Sequence, residues 1–280
     1  MRKYQISKTF IIDRYFIKNL SQDLIAKELK ISQWVISHRM RQYGLKAKDK
    51  TRKLGQRKYH VNENYFDQIN SENAWVLGWL VSDGFVRGND KSPRFGIKVS
   101  IKDKDVLQKI RKLLFYTGKL IKMKTQLKKT RKTYFQIALL ITSAKLVRRI
   151  EEIGIKTNKS TKENFPEILK RDNDEQIIKS FILGVFEGDG SILWDKKKRS
   201  LLFQIVGSKG LLSNIQKFLI RYLNLNRTKL TRNIKKSNHF ALRYRGNKQA
   251  LRIFDWLYLN AQYYLNRKHN FYLAIRKELI

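Results

Sequence analysis

Two short stretches end in a way that chemistry can use. VLGWLVSDGF, residues 76–85, and FILGVFEGDGS, residues 181–191, are apolar runs that close on Asp-Gly. In register, Leu77 matches Leu183, Gly78 matches Gly184, Asp83 matches Asp189 and Gly84 matches Gly190. Residues four apart share a helix face. Gly78 with Ser82, and Gly184 with Gly188, therefore form two flat stripes along which helix backbones can approach closely. The two helices are expected to pack stripe to stripe and to bring Asp83 and Asp189 together at one end. That placement works against stability. A carboxylate at a helix C-terminus opposes the helix dipole at a cost of ~0.3–1 kcal/mol, and two such groups repel each other. A divalent cation removes both penalties. Hard carboxylate oxygens, with water and phosphate oxygens, suit Mg²⁺, and one or two such ions can activate water and stabilise the leaving oxygen in phosphodiester cleavage. One Asp-Gly after a helix is an ordinary turn. The in-register pair carries the reading.

The elements that must position these residues follow from periodicity. After the first motif come FVR at 85–87 and RFGIKVSI at 94–101, in which Phe95, Ile97 and Val99 take one face and Arg94, Lys98 and Ser100 the other. A helix is predicted over 103–116, strands over 118–126 and 133–141, and a helix over 142–154. A connecting loop lies around NFPEIL, 164–169. The same order then recurs from the second motif through SILWD, SLLFQIV, SKGLLSNIQKFLIRYL, TKLTRNIKK, HFALRYR and GNKQALRIFDWLYL. The closing glycines, Gly84 and Gly190, stand 106 residues apart, so two copies of one unit fill residues 61–280.

Ahead of them, LSQDLIAKELKISQWVISHRMRQYGL reads as two short amphipathic helices with a tight break. Ser21 and Ser32 are the candidate N-caps. Ile25 with Leu29 and Ile36 with Met40 make facing apolar pairs, Ala26 allows close approach, and Ile31 plugs the turn. This resembles a helix-turn-helix, whose second helix lies in the major groove. Its exposed face would be Gln33, Trp34, Ser37, His38 and Arg41, while the turn position that often carries glycine is Lys30. An ordinary helical hairpin is the alternative. KAKDKTRKLGQRK, residues 46–58, sets seven basic residues against Asp49 alone and reads as a linker that tracks phosphates. The expected domains are 1–46, a linker at 47–60, and halves at 61–170 and 171–280.

Composition narrows the partners. The 280 residues carry 61 Lys+Arg against 23 Asp+Glu, a net charge of +38 that a polyanion would relieve. Hydrophobic residues make up 42% of the chain, enough for a sizeable core. There is no cysteine, which excludes disulfides, thiolate zinc sites and cysteine nucleophiles. The four histidines, 38, 60, 239 and 269, lack metal-ligand spacing. MRKYQISKTFIIDRYF is interrupted by Asp13 and Arg14 and is not expected to act as a signal peptide. The least polar runs are too short to span a bilayer, so no membrane partner is expected.

LGWLVSDGF and ILGVFEGDGS resemble the two motifs of a LAGLIDADG homing endonuclease in its single-chain, two-repeat form. NFPEIL and GNKQALRIFDWLY also look typical of that family. The resemblance implies an α+β fold: two pseudo-symmetric αββαββα units whose antiparallel sheets straddle duplex DNA as a saddle, here with a small all-α helix-turn-helix added in front. It implies a monomer of intracellular location, a phosphodiester hydrolase of mobile elements and introns. The product would be a double-strand break with short 3′ overhangs. Metal-binding Asp83 and Asp189 carry over, with Mg²⁺ as cofactor. So do a lysine after the fourth strand of each half, Lys145 and Lys248, to polarise water or phosphate, and a strand glutamine, Gln204. The first-half counterpart of Gln204 is open between Gly96 and Lys98. The sixth motif position, often acidic in the family, is Val81 in one copy and Glu187 in the other.

Sheet faces suggest the DNA readers. Arg243 and Arg245 alternate with Leu242 and Tyr244 and should point away from the core. Lys122 and Lys124 around Met123 are expected to do the same, beside Arg94 and Lys98. Such side chains reach guanine edges or phosphates. Two other readings of the same fold remain, a DNA-binding regulator and an intron RNA maturase, neither of which would cleave.

Overall fold

The computed structural model of the chain describes residues 6–18, 20–46, 59–88, 92–126, 133–155, 164–170, 174–232 and 238–279. The chain divides into two units, Met1–Arg57 and Lys58–Ile280. The division falls within the expected basic linker, of which residues 47–58 lie outside the described residues.

The first unit is all helix. It comprises α1 (Lys8–Ile11), a π-helical segment (Ile12–Ile17), α2 (Gln22–Glu28) and α3 (Gln33–Gln42). Ser21 caps α2 by accepting the Leu24 N–H, and Ser32 occupies the cap position of α3 without a side-chain hydrogen bond. Ile25, Ala26, Ile36 and Met40 are buried together with Leu29 and Ile31 packed partly buried against them, as the apolar spacing predicts, and Ile11 and Tyr15 join the same cluster. Lys30 sits in the turn with φ +53°, the left-handed conformation for which glycine would be the easier residue.

The second unit is α+β. It begins with α4 (Ser71–Ser82), β1 (Gly84–Arg87), β2 (Arg94–Ser100), α5 (Lys104–Leu113), β3 (Ile121–Gln126), β4 (Thr133–Thr142) and α6 (Ala144–Ile153). The short α7 (Glu167–Lys170) follows. The order then repeats as α8 (Glu175–Asp189), β5 (Gly190–Asp195), β6 (Ser200–Gly207), α9 (Lys209–Leu223), β7 (Thr231–Arg232), β8 (Phe240–Arg245) and α10 (Asn247–Tyr258). A last helix, α11 (Asn266–Leu279), lies beyond the repeated order of elements that the sequence predicts. The strands form two four-stranded antiparallel sheets ordered β1-β2-β4-β3 and β5-β6-β8-β7. One face of each sheet packs on helices and supplies the core, with Phe95, Ile97 and Val99 from β2 and Phe203 and Ile205 from β6. The opposite face is open.

α4 and α8 lie between the sheets and are apolar on nearly all sides, as helices buried all round must be. An Asn70–Asn73 capping box starts α4, and Asp174, accepting the Gln176 and Ile177 N–H groups, starts α8.

Candidate active site and nucleic-acid face

The two small-residue stripes meet. A methyl group placed on Gly78 would collide with the Phe181 carbonyl and stand 2.8 Å from Gly184 Cα, and one on Gly184 would collide with the Trp75 carbonyl. One turn on, a Cβ at Gly188 would strike the Ser82 side chain and come 3.4 Å from Asp83 Oδ2. The Asp83 carboxylate therefore lies against the residue that precedes Asp189. Asp83 closes α4, its N–H donating to Trp79 O at 3.1 Å. Asp189 ends α8, whose cap, Gly190, donates to Phe186 O. Asp83 is exposed and Asp189 half-buried, so both can reach an ion or a phosphate. Among the described residues no group of three or more His, Cys, Asp or Glu gathers as a metal cage. The donor set fits a hard divalent cation shared with water and phosphate oxygens: two carboxylates at adjacent helix C-termini, where the dipoles add negative potential.

Behind the carboxylates is a buried pair that sequence reasoning missed in part. Glu187 accepts Trp75 Nε1–H at 2.8 Å and the Leu265 N–H at 2.6 Å, fastening α8 to α4 and to the approach to α11. Burial pushes its carboxyl up to about 7, against the pull of these hydrogen bonds and of Lys268. Lys268 donates to the carbonyls of Phe186, Glu187 and Gly190 at 2.8, 2.7 and 2.6 Å, so its ammonium occupies the C-terminal end of α8. Burial lowers Lys268 to about 8, with Glu187 and, more weakly, Asp83 pulling it back up. The available signal was the spacing Lys268, Tyr272, Ile275, which places a lysine on the buried stripe of α11. An open cleft lined by Gly188, Gly190, Ser191, Arg267 and Lys268 reaches this helix end.

The sheets bring some expected residues to the site and keep others away. Lys98 lies on the open face of β2, and its backbone N–H donates to Asp83 O at 3.3 Å. Gln204 is on the open face of β6, paired with Ser191 on one side and Arg243 on the other, and its Oε1 accepts Arg243 Nε–H at 2.6 Å. The registers decide the first-half counterpart of Gln204. Gly84 pairs with Ile97 as Gly190 pairs with Ile205, so Gly96 is equivalent to Gln204. Arg94 pairs with Thr142, and Leu202 with Arg245, on the same open faces.

Lys145 and Lys248 are not beside the aspartates. Lys145 donates to Asn64 Oδ1 and lies 3.8 Å from Asp67, in the turn that precedes α4. α4 has 12 residues, which at 1.5 Å per residue puts roughly 18 Å between that turn and Asp83. Lys248 follows Asn247, whose side chain bonds Leu201 N and Arg199 O at the β5–β6 turn. Leu201 is four residues along β6 from the partner of Gly190, roughly 13 Å away. The reason is common to both: the last strand of each half ends at the hairpin side of its sheet, opposite the motif Asp.

Lys122 and Lys124 also depart from expectation. They pair with Ile137 and Phe135, so they point to the helix side of the sheet. Ile121, Met123 and Thr125 take the open face, Thr125 Oγ1 lying 3.3 Å from Gln136 Oε1. Both lysines are exposed, as is every residue of β3. Arg243 and Arg245 are on the open face as expected. In the first unit, Trp34 is 66% exposed and stacks on His38 at 5.0 Å, with Gln33 and Arg41 exposed and Ser37 half-buried on the same helix.

Residues 70–154 match the family described as LAGLIDADG-like domain. No curated protein sequence matches the chain. Among solved structures, the homing endonuclease I-WcaI bound to its DNA recognition sequence is similar at 13% identity and a TM-score of 0.50, covering 75% of this chain and 91% of that one. Mesophilic variants of the homing endonuclease I-DmoI match at 18% identity and 0.46 over 71% and 94%. The N-terminal LAGLIDADG domain of DUF199/WhiA matches at 15% and 0.44 over 75% and 92%. Among the described residues no helix is long and apolar enough to cross a membrane. Residues 70–154 thus resemble a LAGLIDADG-like domain, and the two four-stranded antiparallel sheets with their helices form an α+β architecture similar to that of LAGLIDADG structures.

Proposed function

We propose that this chain is a site-specific DNA endonuclease, a homing endonuclease of two LAGLIDADG repeats at 61–170 and 171–280, which breaks both strands of a long duplex with Mg²⁺. The observation that carries the reading is the Asp83 carboxylate packed against the turn of Asp189, at the meeting C-termini of two buried helices, in a chain of net charge +38. Asp83 and Asp189 would hold the metal. When bound, the ion supplies a Lewis acid that lowers the pKa of water and stabilises negative charge on phosphate oxygens. The residues do the rest. The open faces, with Arg94, Lys98, Arg243 and Arg245, bind the phosphates and base edges of the duplex and fix its register. Gln204, held by Arg243, orients a water or a phosphate oxygen beside Asp189. Lys145 and Lys248 lie away from the aspartates, Lys122 and Lys124 point to the helix side of their sheet, and all four serve at most flanking phosphates. The first unit is a helix-turn-helix that presents Gln33, Trp34, Ser37, His38 and Arg41 to a DNA groove, and the basic segment 47–60, most of which lies outside the described residues, contributes phosphate contacts. The enzyme acts as a monomer, inside the compartment that holds its target DNA.

The test is incubation with a randomised duplex library and Mg²⁺, comparing the parent with Asp83→Asn and Asp189→Asn. Cutting by the parent, lost in both variants while binding is kept, is the expected result. Tight specific binding by the parent without cutting would make the chain a regulator, and preference for folded intron RNA would make it a maturase.

A further inference from the structure

The open faces of the two sheets differ in chemistry. Register makes their strands comparable. Gly96 is equivalent to Gln204, so Leu140 stands where Arg243 does, Thr142 where Arg245 does and Ala138 where Ala241 does. The second sheet therefore carries two open-face arginines on β8, and the first sheet has none at the same places on β4. Among the described residues, neither β3 nor β4 turns a charged side chain to the open face. An apolar patch is there instead. Ile121, Met123 and Tyr134 are 46%, 41% and 47% exposed, and they pair across strands with Ala138, Gln136 and Thr125. IKMKTQ, residues 121–126, begins by alternating apolar and basic side chains. Its register with β4 sends Lys122 and Lys124 to the helix side and Ile121 and Met123 to the open face. A strand that served phosphates alone would have the reverse phase, because a slip of one residue exchanges the two faces. Lys98, paired with Ala138, and Arg94, paired with Thr142, border the patch on β2, so it is continuous with the face proposed above to bind duplex DNA.

We infer that Ile121, Met123 and Tyr134 are specificity residues that read thymine, so that the half-site under the first sheet is rich in thymine. The inference rests on the duplex-binding part of the function proposed above and is independent of cleavage. The major groove offers one apolar group, the C5-methyl of thymine. Guanine presents two acceptors there, and cytosine an amino donor. An apolar side chain pressed on either edge leaves those groups dehydrated and unpaired. Packed on a methyl group, the same side chain removes apolar surface of both partners from water without that cost. Gln136 adds the complementary contact. It is the cross-strand partner of Met123, and a glutamine amide can bond adenine N6 and N7 together. The Thr125 hydroxyl lies 3.3 Å from its Oε1 and steadies it. Met123 and Gln136 thus suit the two bases of one thymine–adenine pair. The arginines of β8 suit guanine instead, whose O6 and N7 take a bidentate guanidinium.

The experiment uses the full-length chain and duplexes selected by binding from the randomised library without Mg²⁺, so that nothing is cut. The selected sequences should cluster thymines in one half. Each of those thymines is then replaced by deoxyuridine, which removes the methyl group and keeps the hydrogen bonds of the base pair. Fluorescence titrations should show about a fourfold loss of affinity for each methyl contacted, and little change for thymines replaced in the other half. Ile121→Ala, Met123→Ala and Tyr134→Ala should bring the thymine-to-uracil ratio in the sensitive half close to one. All three side chains are exposed, and a fold defect would weaken every duplex alike while leaving the ratio as it was. A ratio of one throughout both halves in the parent, or a ratio that none of the three substitutions moves, overturns the inference and leaves DNA binding standing. A dimer that Met123→Ala dissociates, with the ratio unmoved, assigns the patch to a second copy of the chain and overturns it too. A parent that selects no sequence from the library removes the inference and the site-specific reading together.

Discussion

A methyl group tests how closely the motif helices approach. The atoms facing Gly78 and Gly184 are backbone carbonyls and Cα atoms of the opposite helix, which no rotamer change can move. Gly184→Ala must push α4 and α8 apart, at a cost of about 1–3 kcal/mol for overpacking in a close-packed interior, and cutting should fall more than DNA binding because the aspartates separate. Gly207→Ala is the control: the atoms nearest its added Cβ would be Leu211 and Leu212 side-chain atoms at 3.5–3.8 Å, ordinary contact distances, and urea melts should place it within about 0.5 kcal/mol of the parent. Lys268 is the other single-residue support. Replacing it by methionine removes the donor from three carbonyls and the counter-charge from buried Glu187. A loss of about 3–5 kcal/mol is expected in the same denaturation series. A loss below about 1 kcal/mol would mean that water can replace the ammonium there.

Elements explain what the sequence made legible and what it hid. The motif helices, their meeting stripes and the inward faces of β2 and β8 were readable because each has a buried side, and burial forces a period. β3 has none: all six of its residues are exposed, so alternation in sequence said nothing about face, and only pairing with β4 assigns Lys122 and Lys124 to the helix side. Lys145 and Lys248 were correctly placed at helix starts, but their distance from the aspartates depends on where strands end in the sheet, a tertiary fact. The choice between Gly96 and Lys98 likewise needed the register. Lys268 went unseen because a lone lysine on a helix usually faces solvent. The α2–α3 turn shows the reverse, a local rule broken in sequence and kept in geometry. Lys30 adopts the left-handed backbone that glycine would favour, at a strain of about 1–2 kcal/mol. Glycine relieves that strain but frees the unfolded chain by about 0.4–1 kcal/mol. Lys30→Gly should therefore be neutral or stabilising by about 1 kcal/mol in thermal melts, and Lys30→Val clearly destabilising. Equal losses for both would mean that the lysine side chain, rather than backbone strain, sets the turn.

At the scale of the whole molecule, charge is the governing quantity. A surplus of 38 positive charges in 280 residues repels itself when folded, and it is spread over both units. Bound duplex DNA would relieve it by releasing condensed counterions, with log K falling by about 0.9 per log unit of salt for every phosphate neutralised. If α3 lies in a groove, Arg41 at its end reaches the backbone, and its contribution is additive to whatever the sheets of the second unit do. Arg41→Gln should then lower affinity for every duplex by a similar factor and flatten the salt slope by about one, leaving the preference among sequences intact. Trp34→Ala should do the opposite, weakening selected duplexes more than random ones with little change in slope, because an exposed aromatic ring stacked on His38 offers apolar contact to bases rather than charge. Fluorescence titrations across a salt series measure both quantities at once. Unchanged slope and unchanged selectivity in both variants would remove the first unit from DNA binding and leave the open sheet faces to account for all of it.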